Sequence, residues 1–169
     1  MASDPKTATR WRRLRLVIVG LTIAVLLLSV PASLQYARER GGFYLFSPQF
    51  LEDIPKRLTG PGRFRLVMQP LLAVILGIRG GLADARAGRP PYLYGVLFHR
   101  ELRRELMRET LATVAILLLM GILLDSLFQW LILGSSFPGA ALVVGPVLIV
   151  TPYTLARGLT NRLCRKTPL

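Results

Sequence analysis

Residues 111–134 read LATVAILLLMGILLDSLFQWLILG, 24 residues with a single charge, Asp125. At roughly 1.5 Å rise per residue a helix of that length reaches about 36 Å, enough to cross a hydrocarbon core of about 30 Å with some tilt. A carboxylate near the middle of such a run costs about 2.5–3.5 kcal/mol on insertion scales. Asp125 therefore calls for a partner, a proton or water.

The composition agrees with a membrane protein. The chain of 169 residues is 52% hydrophobic and 18% charged, with a mean hydropathy of +0.47, too apolar for an ordinary soluble domain. Twenty-two Lys and Arg against nine Asp and Glu give a formal charge of +13. Such an excess invites a nucleic-acid reading. The cations instead cluster at the ends of apolar runs, as they do where a multispanning protein marks its cytoplasmic side, so anionic lipid headgroups are the expected counter-charge and no nucleic acid is. The predominance of Arg over Lys points to a bacterial, GC-rich source. Cys164 alone excludes an intrachain disulfide or a multi-cysteine metal site, and His99 alone excludes an HExxH helix. No cofactor is expected. Cys164 lies in a basic tail where palmitoylation occurs, though an ordinary thiol is the simpler reading.

Four spans are predicted, at about 16–36, 64–83, 111–134 and 140–156, forming an all-α four-span helical bundle in a single membrane domain over 1–169. The first follows five cations between Lys6 and Arg15. A secretory signal peptide is the rival there, with Val30-Pro31-Ala32 as its cleavage site; the uncharged run continues to Tyr36, which favours a span. The second has an uncharged stretch of only 13 residues, 66–78, roughly 20 Å of helix. Arg65 and Arg79 flank it and can extend to the two interfaces, and Pro70 removes a helical hydrogen bond. In the fourth, Ala141 and Gly145 make a small-xxx-small pair that admits a close neighbour.

Between the first two spans, 37–63 is an outer segment punctuated by Gly and Pro, whose Phe43, Tyr44, Phe46 and Phe50 suit a membrane interface. Before the third span, Phe98, Leu102 and Leu106 recur every four residues among arginines and glutamates. An amphipathic, interfacial cytoplasmic helix is expected over about 96–110, running on into the span because nothing at Thr110 breaks it. With both termini cytoplasmic, 16 of the 22 cations face inward and 6 outward. A three-span arrangement with the N-terminus outside divides them 17 to 5, so charge alone does not choose. The cations directly before the first apolar run decide for four spans in a bacterial inner membrane.

Asp125 and Gln129 share a helix face at i,i+4, and Gln69 and Arg65 fall at comparable depth on the second span. An intramembrane polar cluster of Asp125, Gln129, Gln69 and Arg65 is expected. It serves either as a proton or cation site or as a clamp that fixes helix register, and the clamp is preferred. Arg86, Arg89, Arg103 and Arg104 are candidate contacts for lipid headgroups or an acidic partner. His99 has no triad arrangement around it, and Glu52-Asp53 are adjacent acids that point different ways, so no catalytic residue is assigned. The expected function is that of a non-catalytic accessory or assembly subunit, a homo-oligomer or part of a larger membrane complex. The alternative is an oligomeric transporter or channel protomer using Asp125. A lipid-acting intramembrane enzyme comes third, since the interfacial cluster of acids or histidines it needs is missing.

Overall fold

The computed structural model describes residues 5–59 and 63–166. Among these residues it is all-helical: α1 (Pro5–Arg40), a 3-10 turn (Tyr44–Phe46), α2 (Pro48–Thr59), α3 (Arg63–Arg86), α4 (Tyr92–Phe98), α5 (Arg100–Leu133) and α6 (Pro138–Lys166). Four of the helices, α1, α3, α5 and α6, are long and apolar enough to cross a membrane, at the four places the hydropathy pattern marks. The chain divides into two compact units, Met1–Gly62 with Leu118–Gly145, and Arg63–Leu117 with Pro146–Leu169.

In the first unit, α1 runs past the apolar stretch to Arg40 and closes on Gly41. That glycine takes a φ of +71° and returns its N–H to the Ala37 carbonyl at 3.0 Å, a left-handed cap that glycine adopts without strain. Gly134 ends α5 in the same way, with φ +70° and its N–H on the Trp130 carbonyl at 3.1 Å. Residues 37–59 hold the end of α1, the 3-10 turn and the twelve-residue α2; the Gly-Pro-Gly step at 60–62 lies outside the described residues. The aromatics of this segment divide. Phe43 and Phe46 are exposed, whereas Tyr44 is buried and stacks on Phe137 with centroids 4.0 Å apart. Tyr36 and Phe50 meet Tyr44 edge-on. Ala140 completes this core. The Tyr44 hydroxyl donates to Asp53 at 2.8 Å, and Lys56 donates to the other oxygen of that carboxylate at 2.6 Å. That hydrogen bond, with the Asp53 charge, raises the Lys56 ammonium above its ordinary range.

Also in this unit, Gly145 lies against the backbone of α5: an added Cβ would stand 3.2 Å from the Ile122 nitrogen. Gly145 of the small-residue pair thus meets another helix of the same chain, and Ala141 is buried.

In the second unit, one face of α3 is buried at Arg65, Gln69, Ala73, Gly77, Gly81 and Asp84, a repeat of about four residues that follows one side of a helix. The two glycines allow backbone-to-backbone packing on α6. A Cβ at Gly77 would stand 2.5 Å from the Tyr153 carbonyl oxygen, and one at Gly81 2.5 Å from that of Arg157. On α6 the matching buried row is Ile149, Tyr153, Arg157 and Asn161. Residues 96–110 are divided between α4 and α5. The break falls at His99, and from Arg100 the helix continues through Thr110 without interruption. Arg103 donates to the Val96 and Leu97 carbonyls at 2.7 and 3.0 Å, satisfying acceptors that the end of α4 leaves open.

Candidate functional site

A concentration of charge lies in the second unit around the buried Arg157, which is 3% exposed. Its Nε and Nη2 donate to the two oxygens of Asp84 at 2.6 and 2.9 Å, a bidentate pair. Nη2 donates again to Glu109 at 3.1 Å. Nη1 donates to the Thr110 and Tyr153 hydroxyls at 3.1 and 3.2 Å. A guanidinium has five N–H donors, so all five are spent. The Tyr92 ring covers the cation from a centroid distance of 4.8 Å, a cation–π contact. The planar fork is what makes this arrangement possible; a lysine ammonium could not serve two carboxylates and two hydroxyls in this geometry.

A second arginine extends the network. Arg89, in the turn after α3, donates to both oxygens of Glu109 at 2.9 and 3.1 Å and to Glu105 at 2.7 Å. Its guanidinium is held above the ordinary arginine range chiefly by the hydrogen bond to Glu109, against the opposing effect of burial. The turn is fixed through its backbone as well. The Arg89 N–H reaches the Asp84 carbonyl at 2.9 Å, and the Asn161 amide donates to the Arg89 carbonyl at 3.2 Å. Three carboxylates thus converge on two guanidiniums. Among the described residues, no trio of His, Cys, Asp and Glu is arranged to hold a metal ion.

The second polar centre belongs to the first unit. Asp125 and Gln129 are 1% and 2% exposed, and the Gln129 amide donates to the Asp125 carboxylate at 2.6 Å. The carbonyl oxygen of the same carboxamide accepts the Phe137 backbone N–H at 2.9 Å. Phe137 immediately precedes Pro138, the first residue of α6. Gln129 therefore joins the acid on α5 to the turn that starts the next helix, and satisfies an N–H that the helix start leaves open. Beside this centre lies a cavity of about 570 Å³ between α1 and α5, lined by Leu21, Leu28, Ser29, Ser126, Trp130 and Ser136 among others.

Of the residues expected to form one cluster, Asp125 and Gln129 are hydrogen-bonded to each other. Gln69 and Arg65 lie on the buried face of α3 in the other unit, 5% and 7% exposed. The Gln69 carboxamide meets no hydrogen-bond partner among the described residues. Of the four arginines expected to face lipid or a partner, Arg86 and Arg104 are exposed and Arg103 caps α4. Arg89 is engaged with Glu105 and Glu109.

The pattern does not single out Arg157 and Asp84. Arg157 counts there as the first of four C-terminal cations, and Asp84 falls in a loop beyond Gly80-Gly81. The signal is present in the spacing: Ala73, Gly77, Gly81 and Asp84 lie on one helix face, and Tyr153, Arg157 and Asn161 on another. Each row is small or aromatic until it reaches its charge. No family model, characterised protein or solved structure matches this chain.

Proposed function

We propose that this chain is a small four-span protein of a bacterial cytoplasmic membrane, with both termini cytoplasmic. It has no chemistry of its own and serves as an accessory or assembly subunit, associating with itself or with a larger complex. The observation that carries this reading is the saturation of Arg157: a cation with all five donors spent on its own chain has none left to bind and turn over a substrate. Asp125 fits the same reading, because its carboxylate is held by a carboxamide that also fixes the next helix start. That is what a packing clamp requires.

Association through the spans is supported by what stays uncovered. Leu21, Leu27, Leu28 and Leu34 of α1 are exposed, as are Trp130 and Leu131 of α5, and in a bilayer such faces meet lipid or another helix. Arg86 and Arg104 make no ion pair among the described residues and remain for headgroups or an acidic partner.

The test is reconstitution into liposomes, with membrane cross-linking in parallel. The accessory role predicts ion flux no greater than in empty vesicles at neutral and acidic pH. It also predicts recovery of the protein with itself or with one stoichiometric membrane partner. A pH-dependent flux that disappears in Asp125→Asn, with assembly retained, would replace this reading with that of a transporter protomer.

A further inference from the structure

The second unit has four arginines near the end of α6 and the turn that packs on it, and they differ in one respect. Arg89 and Arg157 face Asp84, Glu105 and Glu109 and are neutralised by them. Arg162 and Arg165 face no carboxylate among the described residues. Arg165 places one N–H on the Gly88 carbonyl at 3.3 Å, and Arg162 has no hydrogen bond or ion pair there. Both are exposed.

These two cations border a groove of about 540 Å³ whose other walls are Pro91, Leu159 and Leu163, a volume within the usual range for a small-molecule site. Leu159, Arg162 and Leu163 stand at i, i+3 and i+4, hence on one face of α6. The leucines are 58% and 67% exposed. The groove thus pairs an uncovered apolar wall with two cations whose charge the chain itself leaves uncompensated.

We propose that this groove holds an anionic membrane phospholipid, its phosphate between Arg162 and Arg165 and the start of an acyl chain along Leu159, Leu163 and Pro91. Charge complementarity selects the anion. The leucine wall selects an amphiphile over free phosphate, which gains nothing from apolar surface. Arginine suits a phosphate oxygen pair through its planar fork. The site rests on the reading of the chain as a membrane protein with this end on the cytoplasmic side, the side on which basic pockets meet anionic headgroups.

The experiment uses the full chain purified in a nonionic detergent, with native mass spectrometry counting retained phosphatidylglycerol against phosphatidylcholine. Preferential retention of phosphatidylglycerol is expected. Each arginine should contribute roughly fivefold in affinity, so Arg162→Gln with Arg165→Gln should lose roughly twenty-fivefold and retain the two lipids alike. Arg108→Gln, an exposed cation outside the groove, should keep the preference. Replacing both groove arginines with lysine should restore part of it. Leu159→Asn with Leu163→Asn should weaken retention of both lipids. Equal retention of the two lipids by the unaltered chain overturns the site, as does a preference that survives the double glutamine change. Displacement of phosphatidylglycerol by millimolar inorganic phosphate overturns the lipid as occupant. Recovery of the chain in the aqueous fraction without detergent overturns the membrane reading itself, whereas membrane recovery without lipid preference overturns only this site.

Discussion

The Arg157 and Asp125 centres are both buried, and they stabilise charge in different ways. Arg157 takes three of its four hydrogen-bonding partner residues from far along the chain, 73 residues away at Asp84, 48 at Glu109 and 47 at Thr110, and the fourth, Tyr153, from one turn away. The hydrogen bonds made by Gln129 at the Asp125 centre span four residues and eight. The first centre fixes which elements of its unit meet; the Gln129 bonds of the second fix how one helix turns into the next. Breaking the first should therefore cost more. Arg157→Ala strips the buried Asp84 carboxylate of its bidentate partner, leaving only Arg89 at 3.8 Å as counter-charge, and should destabilise the protein by about 3–5 kcal/mol, read as the midpoint of thermal unfolding in detergent. Combining Arg157→Met with Asp84→Leu removes both charges and should recover much of that loss. If the double change is no better than the single one, the network is not held together by its charge pair.

The next effect tests whether the network depends on how closely α3 approaches α6. Gly81→Ala puts a methyl where the Arg157 carbonyl oxygen stands 2.5 Å away, and overpacking of this kind costs about 1–3 kcal/mol. At Gly158, also on α6, an added Cβ meets nothing within 4 Å. There the same change should stabilise by up to about 1 kcal/mol, through the helix preference of alanine. Opposite signs at the two positions would locate the constraint in the crossing; equal effects would remove it.

At the Asp125 centre, Gln129→Leu leaves the carboxylate without its amide donor and Phe137 without its acceptor. Buried groups stripped of a partner cost about 1–3 kcal/mol each, so unfolding should fall to a lower temperature with the loss concentrated at the start of α6. Hydrogen exchange at the Phe137 amide is the sharper readout. Unchanged protection there would show that Gln129 does not hold the turn.

The two centres also differ in how far the sequence discloses them, and the reason is the same separation in chain. Asp125 and Gln129 stand one turn apart, so helical periodicity alone pairs them. Their link to Phe137 needs a turn geometry that no periodicity carries. Asp84 and Arg157 can be paired only through the packing of α3 on α6, and the residues that make that packing possible, Gly77 and Gly81, resemble punctuation. In a loop, glycine supplies a left-handed φ, as Gly41 and Gly134 do. On α3 it supplies the lack of a side chain, and α3 consequently runs through Gly80-Gly81 to Arg86. The four apolar helices were legible because length and hydropathy are summed along the chain. The aromatics of 43–50 were legible only in part, since composition does not distinguish the exposed Phe43 and Phe46 from Tyr44, which packs inside on Phe137.

The smallest expected effect concerns the rim of the Arg157 network. Glu105 is 51% exposed at its side chain and meets Arg89 at 2.7 Å, and Arg89 itself is only 30% exposed. A pair this open to water contributes about 0.2–1 kcal/mol and is screened by salt. Glu105→Gln should therefore shift unfolding by no more than about 1 kcal/mol, with the difference fading as ionic strength rises. Arg89 keeps Glu109 as its partner in that variant, so the turn after α3 should stay in place. If Glu105→Gln costs as much as Arg157→Ala, the distinction between a buried centre and a solvated rim fails, and the five charged residues of the network act as one unit. If its cost is small at low salt and vanishes at high salt, the stabilisation resides in the buried half, where Asp84 and Thr110 face Arg157 away from water.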